Sequence, residues 1–140
     1  MQKVRIGYDL DGVIANSSWA WRLFGKLYFN KFGRKLLRQL SIFAPVRFRP
    51  FEEPYFSNYI ITGRSESDRN VTERWLRLHR IRYDKLIMNH GGLDDIKEFK
   101  ANALKQHSIA VYIEDDKEII EYLREVCPDT CIIPIDNLEQ

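Results

Sequence analysis

Two carboxylates stand two residues apart at the end of an apolar segment near the start of the chain. Residues 4–8 are followed by Asp9 and Asp11, and Gly12 comes directly after them. In an open parallel sheet, ligands bind just beyond the carboxyl ends of the strands. Side chains alternate along a strand, so the two carboxylates share one side unless the chain turns between them. In both cases a nucleophile and a proton carrier can reach one small ligand, although Asp and Gly are also common turn formers.

Two further apolar segments also end in polar side chains. The residues after these segments are Thr62, Gly63 and Arg64 in one case, and Glu114, Asp115 and Asp116 in the other. An acidic pair that ends a buried strand is costly without a cation, so Glu114 and Asp115 are candidate metal ligands. Asp116 instead fits a helix start, where an acid meets the helix dipole favourably. A hard cation such as Mg²⁺ needs only one or two carboxylates, because it usually keeps several waters.

Strand and helix patterns alternate through the body of the chain. The predicted strands cover residues 3–9, 59–61, 83–88, 109–113 and 130–134. One predicted helix begins at Ser65 or Ser67, a second covers about residues 95–106, and a third covers residues 117–126. This alternation predicts an α/β fold, a Rossmann-like parallel sheet with helices on both faces. The carboxyl ends of its strands would then meet at one edge and gather the polar residues there.

One long insert interrupts this alternation after the first strand. A structureless loop of about 40 residues would be unusual, so we expect a small helical cap over residues 16–54, at the mouth of a single domain that covers residues 1–140. Helical spacing begins at Asn16 or Ser17, and a second, basic helix is expected over residues 33–43. Pro45 and Pro50 then break the pattern.

The insert is strongly basic. Residues 16–51 contain eight cations and no acid, whereas the rest of the chain carries 14 cations and 20 acids. This segregation favours a surface that meets anions, because the local field attracts charged ligands. The nine aromatic residues of the insert are Trp19, Trp21, Phe24, Tyr28, Phe29, Phe32, Phe43, Phe48 and Phe51. Mixed with cations they suit base stacking and phosphate attraction, but they could equally pack on each other and on the body.

Composition is that of a soluble globular protein. Of the 140 residues, 44% are hydrophobic and 30% are charged. No apolar run of about 18 residues occurs, and the first residues do not resemble a signal peptide, so we expect no transmembrane segment and no secretion. Cys127 and Cys131 lack the further ligands of a zinc site, which favours a reducing, cytoplasmic location. Nothing in the sequence indicates an oligomeric state.

The order of these motifs resembles that of the haloacid dehalogenase superfamily of phosphotransferases, over residues 4–125. The first motif of that family, Asp-x-Asp-Gly followed by Val or Thr, corresponds to residues 9–13. Its second motif, an apolar strand that ends in Thr or Ser, corresponds to residues 60–62, here followed by Gly63 and Arg64. The third is a lysine before the fourth strand, and the fourth is an acidic pair, here Glu114 and Asp115.

The resemblance implies a role for each of these residues. Asp9 would attack phosphorus to form an aspartyl-phosphate, and Asp11 would protonate the leaving oxygen and then activate water. Mg²⁺ would be held by Asp9, the main-chain carbonyl of Asp11, and the acidic pair, chiefly Asp115. Thr62, with Gly63 and a lysine, would bind the phosphate oxygens.

Three of these assignments stay open. Lys100 is preferred for the phosphate-binding lysine because it lies 14 positions before Glu114, but Lys97 lies on the same helical face. Arg64 would bind substrate or an acid of the body. His90 follows the third strand, where it could touch substrate or be an ordinary loop residue.

The sequence therefore predicts a Mg²⁺-dependent phosphatase that acts on a small phosphorylated substrate, a nucleotide in the first instance. Residues 62–88 are similar to the corresponding stretch of nucleotidases and of the phosphatase part of polynucleotide kinase-phosphatases. A second hypothesis is a nucleic-acid end-processing 3′-phosphatase whose basic insert follows the strand. A third is a noncatalytic binding module, but a scaffold alone would need none of the motif acids.

Overall fold

The computed structural model describes residues 2–16, 41–90 and 95–139. Five strands are present: β1 (Val4–Tyr8), β2 (Phe56–Ser65), β3 (Lys85–Asn89), β4 (Val111–Glu114) and β5 (Cys131–Pro134). Three α-helices follow in chain order: α1 (Arg69–Leu78), α2 (Ile96–Gln106) and α3 (Lys117–Val126). Short 3-10 helices cover Ser41–Phe43, Glu66–Asp68 and Ile135–Asn137.

The strands form one parallel sheet in the order β3-β2-β1-β4-β5. The predicted Rossmann-like fold is therefore confirmed. In the centre, β1 pairs with β2 on one side and with β4 on the other. Asp9, Thr62 and Glu114 lie at the carboxyl ends of these neighbouring strands, so the central part of the sheet brings the predicted motifs to one edge.

Alternating apolar side chains divide the core between the two faces of the sheet. On β2, Ile60 packs in the cluster that contains Trp75 and Leu76 of α1. Its neighbour Ile61 packs on the other face, in the cluster formed by α2 and α3. Both isoleucines are fully buried, as expected for a parallel sheet covered on both sides.

Helix α3 shows how local sequence sets an element's bounds. Its first residue, Lys117, and its last, Val126, are those predicted from the sequence. The carboxylate of Asp116 accepts hydrogen bonds from the backbone N–H groups of Glu118 and Ile119. Asp116 is thus a helix N-cap, as its predicted role required.

The predicted cap falls largely outside the described residues, since these omit residues 17–40. The two ends of the insert lie side by side: Asn16 N donates to Pro45 O at 2.9 Å, and Arg47 N donates to Ile14 O at 2.8 Å. The helix expected to end at Phe43 is described only as the 3-10 helix Ser41–Phe43. The extent of the cap over residues 16–54 and the single-domain assignment remain predictions.

Two aromatic residues of the insert contact the body of the protein. The ring of Phe48 lies 6.4 Å from that of Tyr8 and 5.6 Å, edge-on, from that of Phe51. The Tyr8 hydroxyl also accepts a hydrogen bond from Phe51 N. Phe48 therefore packs against the core, whereas Phe51 stays 40% exposed. Among the described helices, none has the length and apolar character needed to cross a membrane.

Candidate active site

Asp9 occupies the centre of the candidate site. It follows β1 directly and is almost fully buried, because the chain turns at Leu10 instead of continuing as a strand. The Oδ1 atom of Asp9 accepts hydrogen bonds from Leu10 N at 2.9 Å and lies 3.1 Å from Lys100 Nζ. These two contacts fix the carboxyl group at the carboxyl edge of the sheet.

Lys100 is the lysine that reaches Asp9. It projects from α2, its side chain is only 3% exposed, and its Nζ lies 2.7 Å from Glu114 Oε2. Lys97, one helical turn earlier, is 40% exposed and lies 3.6 Å from Glu118 on α3. Of the two lysines left open by the sequence, the structure brings Lys100 into the site.

Glu114 is fully buried and surrounded by donors. Its Oε2 accepts from Lys100 Nζ at 2.7 Å and from the Tyr112 hydroxyl at 3.1 Å. Its Oε1 accepts from the backbone N–H of Asp115 at 3.0 Å and of Asp116 at 3.4 Å. With donors on both oxygens, Glu114 is better suited to hold Lys100 than to ligate a metal directly.

Asp115 lies against the glycine of the first motif. A Cβ atom on Gly12 would stand 2.0 Å from Asp115 Oδ2, and Gly12 has a φ of +89°. Only glycine permits both this close approach and this backbone conformation. Gly12 therefore allows the loop after β1 to reach the acidic end of β4.

Asp9 and Asp115, with Glu114 beside them, offer carboxylate oxygens of the kind that a hard dication binds. They offer oxygens that lie within 4.8 Å of one another. Mg²⁺ binds oxygens at about 2.0–2.1 Å, so opposite ligands stand about 4.2 Å apart. The spacing in this cluster is therefore of the size that lets Asp9 and Asp115 bind one such ion.

Charge in this cluster is unbalanced. Burial, followed by the nearby charges of Glu114 and Asp115, raises the pKa of Asp9 well above its usual value despite Lys100. Burial and Glu114 also raise the pKa of Asp115, to about 7. Burial also acts to raise the pKa of Glu114, but the charge of Lys100 and the hydrogen bonds to Glu114 outweigh burial and lower this pKa to about 2. Three carboxylates face one ammonium, so a dication would restore neutrality and let Asp9 ionise.

Asp11 belongs to a separate ion pair. Arg64 Nε donates to Asp11 Oδ2 at 2.8 Å, and Arg64 Nη2 donates to Asp11 Oδ1 at 2.6 Å. The third nitrogen of the guanidinium, Nη1, donates to Thr72 Oγ1 at 3.1 Å. Arg64 is only 3% exposed. Of the two roles left open for Arg64, the structure therefore shows contact with an acid of the body.

Three further residues were predicted to bind phosphate or substrate, namely Thr62, Gly63 and His90, and they differ in their surroundings. Thr62 is buried at the end of β2, and its Oγ1 accepts a hydrogen bond from Arg64 N at 3.2 Å. Gly63 lies close to α2, since a Cβ there would be 3.0 Å from Ile96. His90 is 83% exposed and faces Glu66 at 3.9 Å. Phosphate binding by Thr62 and Gly63, and substrate binding by His90, stay predictions.

Two contacts of the site were missed from the sequence. The ring of Tyr112 crosses β1 above Gly7, where a Cβ would stand 2.9 Å from Tyr112 Cδ1, and its hydroxyl lies 3.3 Å from Ile61 O. Arg47 Nη1 donates to Gly12 O at 2.7 Å. A glycine opposite an aromatic residue on a neighbouring strand is a weak signal for the first contact. No local pattern indicates the second.

The fold recurs in proteins of known structure. A chain of the Pnkp1/Rnl/Hen1 RNA repair complex matches with a TM-score of 0.68 and 16% identity over 96% of this chain. A haloacid dehalogenase-like hydrolase from Streptococcus pneumoniae matches 89% of this chain and 81% of its own, with a TM-score of 0.62 and 16% identity. The chain has the haloacid dehalogenase fold.

A second hydrolase of that superfamily agrees with this assignment. The subfamily IA protein from Geobacter sulfurreducens gives a TM-score of 0.57 at 12% identity, over 94% of this chain and 86% of its own. This chain spans only 42% and 46% of the two chains matched in structures of the Pnkp1/Rnl/Hen1 complex. No protein-family profile and no curated protein matches the sequence.

Proposed function

We propose that this chain is a Mg²⁺-dependent phosphatase that hydrolyses a phosphomonoester, with nucleotides as favoured substrates, through an aspartyl-phosphate on Asp9. The observation that carries the proposal is the placement of Asp9 between Lys100 and a cluster of carboxylates at the carboxyl edge of the sheet. The haloacid dehalogenase fold supports the same class of reaction. A carboxylate can approach a phosphate dianion only where cations offset their repulsion.

In the first step, a carboxylate oxygen of Asp9 attacks phosphorus and the bond from phosphorus to the leaving oxygen breaks. Asp11 gives its proton to that oxygen, and the resulting Asp11 carboxylate is stabilised by Arg64. Lys100, held by Glu114, would neutralise charge on the transferring phosphoryl group. Mg²⁺, when bound by Asp9, Asp115 and the main-chain carbonyl of Asp11, would supply further neutralisation and orient the phosphate.

In the second step, water attacks phosphorus on the opposite side to Asp9. Asp11 accepts a proton from that water, the bond between Asp9 and phosphorus breaks, and inorganic phosphate leaves. Thr62 would donate its hydroxyl hydrogen to a phosphate oxygen, because its oxygen already accepts from Arg64 N. The chain then returns to its starting protonation state.

Phosphate release from a panel of nucleotides and sugar phosphates tests the proposal. We expect MgCl₂ to support release, and both EDTA and Asp9→Asn to abolish it. Asp9→Asn preserves the size of the side chain but removes the nucleophile. Release that is equally fast in wild type and Asp9→Asn, or none with any substrate in MgCl₂, would contradict the proposal.

A second candidate is a 3′-phosphatase that processes nucleic-acid ends. It is favoured by the match to a chain of an RNA repair complex, although this chain covers less than half of that chain. The discriminating measurement compares kcat/KM for a 3′-phosphorylated oligonucleotide with that for the matching nucleoside 3′-monophosphate. A preference of tenfold or more for the oligonucleotide would favour end processing, whereas equal values would favour a nucleotidase.

A cytoplasmic location remains part of the proposal. Cys127 is buried and Cys131 is exposed, and both are free thiols, which suits a reducing compartment. The alternative of a noncatalytic module is disfavoured, because it gives no reason to bury Lys100 between two carboxylates.

A further inference from the structure

Five arginines, on helix α1, directly after it and in the return leg of the insert, are exposed and lack acidic partners within the described parts of the chain. They are Arg49, Arg74, Arg77, Arg80 and Arg82. Arg69, on the same helix α1, shows the contrast, because it is paired with Glu66 at 2.7 Å and with Glu73 at 3.1 Å. We refer to the five arginines, together with Phe43 and Leu78, as the arginine surface.

Contacts place parts of this surface next to one another. Arg49 Nη1 donates to the carbonyl of His79 at 3.0 Å, directly beside Arg80. Arg74 and Leu78, one helical turn apart on α1, line one surface cavity with Phe43. The return leg of the insert and the end of α1 therefore present their cations together.

The arginine surface combines cations with exposed apolar side chains. Phe43 is 73% exposed and Leu78 is 61% exposed, and both lie beside Arg74. A positively charged surface with an aromatic platform is the pattern by which proteins hold single-stranded nucleic acid. The guanidinium group also matches phosphate geometry better than an ammonium group does. Two apolar side chains are too few for the continuous apolar face of a membrane-bound helix.

We propose that the arginine surface binds the phosphate backbone of single-stranded nucleic acid. This inference rests on the proposed function in one respect only, namely that a nucleic-acid strand with a terminal phosphate is a substrate, as in the second candidate function. Helix α1 follows β2, whose end lies at the candidate site, and its 10 residues extend about 15 Å away from that edge. A nucleic-acid strand with its terminal phosphate at Asp9 would thus have cations along its path over α1. A mononucleotide bound at Asp9 would not reach the arginines at the far end of this helix.

The test measures binding of a fluorescein-labelled 12-nucleotide RNA without terminal phosphates, by anisotropy, over a series of NaCl concentrations. The full chain is compared with Arg74→Gln/Arg77→Gln and with a matched control, Lys105→Gln/Lys117→Gln. The control lysines are exposed, lie on α2 and α3, and carry the same total charge. Hydrolysis of p-nitrophenyl phosphate by each variant reports whether the candidate site is intact.

We expect wild type to bind with a steep salt dependence. Each lost phosphate contact lowers the slope of log K against log salt by about 0.7, so the arginine pair should lower it by about 1.4 and the control pair should not change it. Phe43→Ala should weaken binding about tenfold through lost stacking.

Three results would overturn the inference: absence of salt-dependent binding, equal losses in the two double variants, or binding to anionic phosphatidylserine vesicles but not to RNA. Absence of p-nitrophenyl phosphate hydrolysis in wild type would count against the proposed function alone. The RNA measurement does not depend on turnover, so the two failures are distinguishable.

Discussion

Replacement of Gly12 by alanine should separate the loop after β1 from the acidic end of β4. The added methyl carbon would stand 2.0 Å from Asp115 Oδ2 and 2.5 Å from its Cγ. Ordinary contact begins at 3.4 Å, so one group must move by at least about 1.4 Å. The φ of +89° adds strain of about 1–2 kcal/mol for any residue with a side chain.

This movement is large compared with the tolerance of a magnesium site. Mg²⁺ requires oxygens at about 2.0–2.1 Å in near-octahedral geometry, so a carboxylate displaced by 1.4 Å no longer ligates together with Asp9. Even the loss of an outer-shell partner costs metal sites about 10–100-fold in affinity. We therefore expect Gly12→Ala to weaken Mg²⁺ binding at least tenfold and to lower the unfolding free energy of the metal-free protein by about 1–2 kcal/mol.

Isothermal titration with MgCl₂ provides the assay, and a double-mutant cycle with Asp115→Ala provides the control. If Gly12→Ala acts by displacing Asp115, it should cause little further loss in the Asp115→Ala background. Wild-type Mg²⁺ affinity in Gly12→Ala would refute the reasoning. So would a full additional loss in the double variant, because the effect would then not pass through Asp115.

Other predictions concern groups around the same centre. Arg64→Met should reduce kcat about 100-fold and leave Mg²⁺ affinity nearly unchanged, because Asp11 loses both hydrogen bonds that orient it. An unchanged kcat in steady-state kinetics would contradict this. Tyr112→Phe should weaken inhibition by inorganic phosphate several-fold, because Glu114 holds Lys100 less firmly. The same change at Tyr122, a partly buried tyrosine of α3, should not. Mg²⁺ affinity should fall about tenfold per pH unit below about 7, where Asp115 takes up a proton, and calorimetry should find proton release on binding. Without metal, the raised pKa of Asp115 makes the folded state bind more protons than the unfolded state, so stability should decrease as pH rises from about 4 to 7 in thermal melts.

Periodicity and helix caps made the fold predictable from the sequence. Helix α3 was predicted at its observed bounds because Asp116 caps it and apolar residues recur at helical spacing. Strand β2 is longer than the predicted 59–61 at both ends, since residues 56–58 pair with β1 and its last residue, Ser65, pairs with β3. Strand β3 begins at Lys85 and not at the predicted Tyr83. The intervening Asp84 carboxylate accepts from Asn58 N, which ties the segment to the start of β2 before the strand begins.

The pairing of side chains within the site was harder to predict from the sequence than the positions of its acids. Each acid follows a recognisable strand, so its place at the edge could be predicted from local sequence. The Arg64–Asp11 pair joins residues 53 positions apart, and the sequence left an acid and a substrate as equal alternatives. The close approach of Gly12 to Asp115 likewise forms only in the completed sheet. Such contacts have no periodic signal along the chain.

The charges of the insert show that a cation counted in the sequence is not always available to bind an anion in the folded protein. The sequence counts Arg47 among the cations available to anions, but the structure pairs it with Asp136 and Glu139 near the end of the chain. Arg49, two residues later, stays exposed beside the arginines that follow α1. Of the insert's cations, only Arg47 and Arg49 lie in the part of the chain that the structure describes, so the basic surface that net charge predicts for the insert stays a prediction.

Two clusters of charged side chains lie at the carboxyl edge, and they differ in net charge. This difference indicates where a cation is needed. When Asp11 is ionised, its carboxylate is balanced by the two hydrogen bonds from the buried Arg64, so this pair requires no further cation. Asp9, with Glu114 and Asp115, places three carboxylates around Lys100 alone. Burial makes that excess costly, and this cost raises the pKa of Asp9 well above its usual value. A bound dication is the simpler solution, because it removes the same excess while leaving Asp9 ionised for attack.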